Sequence, residues 1–325
     1  MRPARDLPLQ TLQLEQDGRV LTARFSNPPL NFMTTGFIRE LAELTRGVDR
    51  DPTVGAVVLT GGVEGRFLTH LDAEELAGMQ DLPHPKLSMR AAKVVVFLLN
   101  LVLLLPGVAS LLERFGGAPG KGIVMGRRWK RLTLRMNRSA AVYIAAINGP
   151  VLDGGLEIVL ACDLRYAADA APLRMGQMEL LVALIPGGGG SQRLLRMLGP
   201  ARAFEYVFEG IPLTAQGALE HGLVHRVVPA EQLVAEAHAT AARLARRSPT
   251  AVAALKRCLY FGTDRSLSRA LDLENAGFLS AGSTKAASGV LKPFSEDLER
   301  LGDTPFLADP GPWIDGTRFD QVGEP

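Results

Sequence analysis

Two glutamates, Glu157 and Glu179, each stand beside a glycine-rich turn that can expose backbone N–H groups. Glu157 follows Gly154 and Gly155, and Glu179 precedes the four consecutive glycines that begin at Gly187. A carboxylate can take up or deliver a proton, and backbone N–H groups can stabilise a developing oxyanion. Two surface glutamates on helices are the alternative interpretation. The two flanking turns favour acid/base chemistry on a carbonyl compound.

The elements that would position these glutamates alternate between strands and helices. Segments 54–59, 142–147 and 164–168 have the length and apolar content of buried strands, whereas 37–48 has apolar residues at helical spacing. The segment 155–162, which contains Glu157, is predicted to be a helix. The recurrence of strand–strand–helix units suits a stacked ββα spiral.

Several segments of the chain resemble motifs of the enoyl-CoA hydratase/isomerase family, also called the crotonase family. The longest match runs from Ile147 to Leu164, and the second runs from Leu184 to Leu194. Shorter matches occur at Asn27–Asn31, Val54–Gly61 and Gly222–Val224. The resemblance covers residues 10–76 and 136–280. It implies an α/β fold, with a crotonase-like ββα spiral core and a C-terminal helical region that builds trimers.

The resemblance also assigns roles to individual residues of a site that binds a CoA thioester. The backbone N–H groups of Leu71 and Gly154 would form an oxyanion hole for the thioester carbonyl. Glu157 would activate a water, Glu179 would deliver a proton to the α-carbon, and Gly187 would help to position the water. The residues expected to contact the substrate or its CoA are Asn31, Thr69, His70, Leu71, Asp72 and Gly154.

The expected activity is that of an enoyl-CoA hydratase, which adds water across the 2,3 double bond of a 2-enoyl-CoA through an oxyanion-stabilised enolate. Because isomerases of the family lack one of the two acids, the presence of both glutamates favours hydration. The alternatives are an isomerase, an acyl-CoA thioester hydrolase of the same fold, and a non-catalytic, membrane-recruited relative. Coenzyme A would belong to the substrate, so no separate cofactor is expected. No metal is expected either, since Gly222 interrupts the helix that would carry His221 and His225.

Two residues of the expected site depart from the family pattern. His70 occupies a position that is usually glycine, and a positive φ there would strain a histidine. It either fills space or contacts the CoA moiety, or it joins the acid/base set. Asp153 replaces a family glycine and is expected to alter the proton affinity of Glu157.

Composition bounds the class and the organisation of the protein. With 325 residues, 47% apolar content and a net charge of +2, the chain is typical of a globular protein. Two cysteines cannot form a disulfide framework, and the amino terminus lacks a signal-like apolar run, so a cytoplasmic location is expected. The predicted regions are a spiral core (1–205), a C-terminal helical region (206–300) and a surface tail (301–325). A homotrimer or a dimer of trimers is expected from the resemblance.

Residues 78–136 form an atypical insertion that is both apolar and basic. Within it, Val94–Leu105 is apolar except for Asn100 and is too short to span a bilayer. Residues 84–138 carry eleven Lys/Arg and one acid. The pattern predicts a helical excursion whose apolar face is buried against the acyl site or a neighbouring subunit. The alternative is contact with a membrane surface through 94–131, which would make the protein peripheral to a membrane. Nucleic-acid binding is not expected, because few aromatic residues are available for base stacking.

Overall fold

A central six-stranded sheet organises the structure, a computed structural model that describes residues 2–72, 74–75 and 86–323. The strands are β1 Leu12–Asp17, β2 Val20–Phe25, β3 Ala56–Gly61, β4 Val142–Ile147, β5 Val151–Leu152, β6 Leu164–Asp169, β7 Met175–Gly176 and β8 Arg226–Pro229. In the large sheet the order is β1-β2-β3-β4-β6-β8, with β1 antiparallel to β2 and the other pairs parallel. Every residue of β3 and β4 is buried, as expected for parallel strands covered on both faces.

Helices surround this sheet and continue beyond it. In chain order they are α1 Thr35–Arg50, α2 Met89–Val102, α3 Val108–Phe115, α4 Gly117–Met136, α5 Gly154–Ala161, α6 Gly190–Glu209, α7 Ala215–Glu220, α8 Leu233–Leu244, α9 Pro249–Phe261, α10 Leu267–Gly282, α11 Lys285–Gly289, α12 Leu291–Leu301, α13 Pro305–Ala308 and α14 Gly311–Ile314. Short 3-10 turns lie at Ala4–Asp6, Glu179–Val182 and Ala230–Gln232.

The predicted strand–strand–helix order is present in the chain. Strand β4 of the large sheet leads into β5 of a separate two-stranded sheet and then into α5. In the next unit, β6 leads into β7, which pairs with β5 in parallel, and then into α6. Both candidate glutamates occur in these two units, since Glu157 lies in α5 and Glu179 lies between β7 and α6.

Residues 206–300 are mostly helical, and they also supply the last strand of the large sheet, β8, which pairs with β6. The tail after α12 packs on the helical region. Trp313 is buried, donates a hydrogen bond to Asp297 (3.0 Å), and packs against the rings of Phe294 and Phe306. Arg247 reaches across from the end of α8 and donates to the carbonyl of Trp313 (2.9 Å).

The insertion is helical where it is described, as predicted. Helices α2, α3 and α4 follow one another from Met89 to Met136, while the predicted positions 78–85 lie outside the described residues. Helix α3 packs on α4, and α4 packs on α1. No helix within residues 2–72, 74–75 and 86–323 is long and apolar enough to cross a membrane.

Candidate active site

A cavity of about 800 Å³ lies where the start of α5, the glycine-rich loop before α6 and one face of α4 meet. Most of the site residues proposed from the sequence line it. These are His70, Leu71, Gly154, Glu157, Glu179 and Gly187. Apolar side chains complete the lining. They include Met33, Met125, Trp129, Leu152, Leu181, Val182 and Leu184. The cavity therefore combines two carboxyl groups with a wall suited to an acyl chain.

Glu157 lies in the first turn of α5 and is almost completely buried, with 3% of its surface exposed. Its Oε1 accepts hydrogen bonds from the backbone N–H groups of Gly188 (2.7 Å) and Gly190 (2.8 Å). Burial raises the pKa of Glu157, and these hydrogen bonds together with the charge of Arg193 oppose that rise. The glycine loop thus supplies donors that favour the ionised carboxylate in a buried place.

The loop can approach Glu157 only because it has glycine at its closest point. A Cβ at Gly188 would overlap Oε2 of Glu157 and the indole ring of Trp129. At Gly187, by contrast, a Cβ would meet no other atom within 4 Å. Packing therefore requires glycine at Gly188, and at Gly190 as well, where a Cβ would overlap the side chain of Gln177, whereas it leaves Gly187 open.

Glu179 has a different environment. Burial is the main cause that raises its pKa to about 8, and the negative charges of Asp153 and Glu157 add to the rise. Its Oε2 is buried and has no hydrogen-bond partner among the described residues. A carboxyl group with this pKa is mostly protonated at neutral pH, so it can act as a proton donor.

Asp153 has a marked effect on Glu179. Its negative charge adds to burial in raising the pKa of Glu179, whereas the largest effects on the pKa of Glu157 come from burial, the glycine loop and Arg193. Its Oδ1 accepts the N–H of Met178 (2.6 Å), the residue before Glu179. This contact holds the Asp153 carboxylate beside the turn that begins at Glu179.

The two proposed oxyanion donors lie on segments that are tied together. The N–H of Gly155 donates to the carbonyl of Thr69 (3.2 Å), which holds the loop before Leu71 against the start of α5. Neither the N–H of Leu71 nor that of Gly154 donates to another residue in the described part of the chain. Because Gly154 is the first residue of α5, its N–H also stands at the positive end of the helix dipole.

His70 lines the cavity without the backbone strain that its position in the motif led us to expect. Among the described residues other than glycine, positive φ occurs at Asn31, Asp153 and Ala183, so the expectation for His70 was wrong. Its ring lies 4.6 Å from that of Phe32, and its Nδ1 is 2.8 Å from the carbonyl oxygen of Leu71. Because the backbone of His70 does not have a positive φ, a residue with a side chain fits this position without strain.

Three residues proposed to contact substrate lie outside the cavity lining and serve the loops around it. Asn31 is 1% exposed, and its side chain bonds to the backbone of residues 25, 27 and 67. Thr69 is buried, and its carbonyl receives the hydrogen bond from α5. Asp72 accepts the N–H of Glu74 (2.9 Å) and so caps the turn that follows. The structure gives all three a positioning task.

The sequence interpretation missed the contribution of α4. Trp129, which lies in the stretch 94–131 considered above for membrane contact, is 5% exposed and lies against Gly154 and Gly188. Its indole Nε1 is buried and has no hydrogen-bond partner among the described residues. Met125, Trp129, Leu132 and Met136 recur at helical spacing, a signal that marks one inward face of α4.

The apolar segment Val94–Leu105 does not form a wall of this cavity, so the expectation that it packs against the acyl site was wrong. None of its residues is among those that line the cavity, and no residue of α2 is buried. The insertion reaches the cavity through Met125, Gly126 and Trp129 of α4 instead. A run of apolar residues predicts that something shields them from water, but it does not show what that is.

Comparisons with known proteins agree with this geometry. Residues 109–300 match the profile of a family described as enoyl-CoA hydratase/isomerase. A probable enoyl-CoA hydratase of Mycobacterium bovis is 30% identical over 288 residues, which cover 88% of this chain and 95% of that protein. The mitochondrial enoyl-CoA hydratase of Pongo abelii is 31% identical over 267 residues, covering 82% of this chain and 77% of that protein.

A similar solved structure extends the likeness to three dimensions. The crystal structure of an enoyl-CoA hydratase from Bacillus anthracis matches with a TM-score of 0.70 at 26% identity, covering 92% of this chain and 99% of that one. This match confirms the predicted α/β, crotonase-like fold with a helical C-terminal region.

Proposed function

Since the chain belongs to the enoyl-CoA hydratase/isomerase family, we propose that it is an enoyl-CoA hydratase acting on a 2-enoyl-CoA thioester. The observation that carries this proposal is the pair of carboxyl groups in one cavity with different surroundings. Burial raises the pKa of both, but backbone N–H donors and Arg193 oppose that rise at Glu157, whereas neighbouring negative charges add to it at Glu179, whose pKa reaches about 8. Two carboxyl groups whose environments differ in this way suit one base and one acid.

In the proposed reaction, the thioester carbonyl accepts hydrogen bonds from the N–H groups of Leu71 and Gly154. These donors polarise the carbonyl, which makes the β-carbon electrophilic, and they stabilise the negative charge of the enolate that forms when water adds. Glu157 takes one proton from a water as the water oxygen bonds to the β-carbon. Glu179 gives its proton to the α-carbon. Proton exchange with solvent then restores both carboxyl groups, and the net change is the addition of one water.

The rest of the cavity suits the remaining parts of such a substrate. Met125, Leu181, Val182 and Leu184 offer an apolar wall to the acyl chain. Gly187 lies on the loop that also holds Glu157, where its backbone would help to position the water. Coenzyme A enters as part of the substrate, so the proposed reaction uses neither a separate cofactor nor a metal.

Hydration of trans-2-enoyl-CoA thioesters of increasing chain length tests the proposal. The wild-type protein is expected to form 3-hydroxyacyl-CoA, and Glu157→Gln and Glu179→Gln are each expected to lower kcat by about 10²–10⁴-fold, since glutamine keeps the shape but cannot transfer the proton. The exposed Glu209→Gln is the matched control and should retain full turnover. Near-normal turnover in either site variant would refute the role given to that residue.

The same assay separates the alternative activities of this fold. Release of free coenzyme A without a hydroxyacyl product would indicate a thioester hydrolase. Conversion of a 3-enoyl-CoA into a 2-enoyl-CoA without hydration would indicate an isomerase. CoA-ester binding without any turnover would indicate a non-catalytic relative. Each of these outcomes would overturn the proposed hydratase.

A further inference from the structure

The insertion exposes a ridge of apolar side chains on α2 and the turn that follows it, Val94–Leu105, called here the apolar ridge. No residue of α2 is buried, and Phe97 and Leu104 are each 66% exposed. The other large apolar side chains exposed on the ridge are Val94, Val95, Val96, Leu98, Leu101, Val102 and Leu105. Soluble proteins rarely expose contiguous apolar patches larger than a few hundred Å². We therefore expect a binding partner to cover the ridge and shield it from water.

The exposed residues of α2 lie all around the helix, which favours contact with lipid over contact with a protein surface. Residues 93–98 are exposed one after another, which is more than a full turn of helix at about 3.6 residues per turn. The surface of a neighbouring protein covers one side of a helix and leaves the opposite side wet. Hydrocarbon chains of a lipid can surround the helix on every side that α4 leaves open.

The charges beside the ridge indicate which lipids would suit it. Lys86, Arg90 and Lys93 are exposed at and before the start of α2, and Lys130 and Arg131 are exposed on α4. None of these five cations forms an ion pair with another described residue. Glu113, the acid that lies between these two groups of cations in the sequence, is already paired with Arg128 at 2.7 Å.

The cations and the ridge are neighbours in space as well as in sequence. Phe97 and Leu101 of α2 line a groove of about 340 Å³ together with Arg127, Lys130 and Arg131 of α4. Apolar side chains flanked by unpaired Lys and Arg are the arrangement of helices that lie in the interface of an anionic bilayer.

We propose that the apolar ridge inserts into the interfacial layer of a bilayer that contains anionic phospholipids, with the basic residues on the lipid headgroups. Helix α2 has 14 residues, about 21 Å at 1.5 Å per residue, so it lies in one leaflet and does not cross the bilayer. The proposal stands on exposure and charge, and it does not depend on the hydratase reaction.

The position of α4 connects this surface to the cavity. Met125 and Trp129 of α4 line the cavity, while Lys130 and Arg131 line the groove under the ridge. At about 100° per residue these two sets occupy opposite faces of the same helix. Docking would therefore hold the cavity one helix away from the lipid, close to acyl thioesters that partition into the membrane surface.

Sedimentation with extruded vesicles tests the proposal on the full chain. Wild-type protein should sediment with vesicles of phosphatidylcholine mixed with phosphatidylserine, and should bind pure phosphatidylcholine much less. Lys130→Gln/Arg131→Gln should lower the partition coefficient by about fivefold per residue, roughly 25-fold together. Raising the salt from about 0.1 M to about 1 M should weaken wild-type binding, because the screening length falls from about 10 Å to about 3 Å.

The apolar contribution is tested by Phe97→Ser/Leu104→Ser, which should lower vesicle binding at least about tenfold. The matched control is Leu267→Ser/Leu307→Ser, which removes two residues that are each 76% exposed elsewhere and should bind like wild type. All four side chains are exposed, so circular dichroism and thermal unfolding should be unchanged.

Three results would overturn the proposal: no sedimentation of wild type with either vesicle, equal binding to both vesicle types, or equal loss in the ridge and control variants. Light scattering identifies the competing occupant. A smaller mass for Phe97→Ser/Leu104→Ser than for wild type, without vesicle binding, would assign the ridge to a second copy of this chain.

Discussion

Asp153 brings a third carboxyl group to the two proposed catalytic glutamates. Its φ of 50° lies in the left-handed region, which is unusual for a residue other than glycine. The hydrogen bond from the N–H of Met178 fixes its carboxylate beside the turn that begins at Glu179. The negative charge there favours the protonated form of Glu179. We infer that Asp153 helps to keep Glu179, the proposed proton donor, protonated.

Asp153→Asn should move the alkaline limb of the pH profile to lower pH. The change removes the charge, keeps an oxygen that accepts the N–H of Met178, and places a residue that tolerates positive φ. Glu179 must be protonated to act, so activity falls as the pH rises through its pKa of about 8, and loss of the neighbouring charge lowers that pKa. Measurements of kcat/KM from neutral to alkaline pH check this shift.

A fixed alkaline limb in Asp153→Asn would contradict the role of Asp153. The control is Asp169→Asn, which changes an exposed carboxylate at the end of β6 and should leave the profile unchanged. A shift of equal size in both variants would point to the overall charge of the protein and away from the local contact.

At the scale of elements, the glycine loop before α6 and helix α5 together hold the carboxylate of Glu157 in place. The loop donates two N–H groups to the carboxylate, and α4 closes the other side with the ring of Trp129. A buried carboxylate without such donors would lose its charge or destabilise the fold. The close packing of these three elements is therefore a condition of the proposed chemistry.

Gly188→Ala should destabilise the protein, because its Cβ would overlap Oε2 of Glu157 and the Trp129 ring. Overpacking of this kind typically costs about 1–3 kcal/mol. The matched change Gly187→Ala introduces the same methyl one residue earlier, where no atom lies within 4 Å, and should leave the free energy of unfolding nearly unchanged. Urea unfolding of both variants measures the difference. Equal stability of the two would contradict the packing described for this loop.

At the scale of the whole molecule, the C-terminal helices expose a second set of apolar residues. It comprises Leu255, Leu259, Leu271, Phe278 and Leu279 on α9 and α10. Unlike α2, these two helices pack closely on each other, so they present a shared outer surface. A shared surface of this kind suits a protein partner, and the family resemblance implies a trimer. We propose that these helices contribute to a homotrimer or a dimer of trimers.

Light scattering should give a mass three or six times that of one chain for the wild-type protein. Phe278→Ser/Leu279→Ser should lower this mass, because it removes two side chains that are 78% and 70% exposed in the single chain. Phe97→Ser/Leu104→Ser is the control and should leave the mass unchanged if the apolar ridge binds lipid. A wild-type mass equal to that of one chain would refute the proposed assembly.

Local patterns in the sequence were enough to predict the elements that carry the site. Strand β4 has the predicted bounds, 142–147, and α5 begins one residue before the predicted helix 155–162. Apolar periodicity and glycine turns act over short stretches of chain, so they can be recognised without knowledge of the fold. Glu157 and Glu179 were identified from the glycine turns beside them, whereas Leu71 and Gly154 were assigned through the family resemblance. The structure brings all four to one cavity.

The surroundings of these residues, in contrast, depend on how distant segments pack together. In the folded chain Asp153 lies beside Glu179, Trp129 of the basic stretch lines the cavity, and the apolar ridge is exposed. The pKa of a carboxyl group depends on distances to groups far apart in the chain, and periodicity shows that a helix has an apolar face without showing what covers it. Contacts between distant segments form only when the chain has folded, so the local patterns of a single sequence do not predict them.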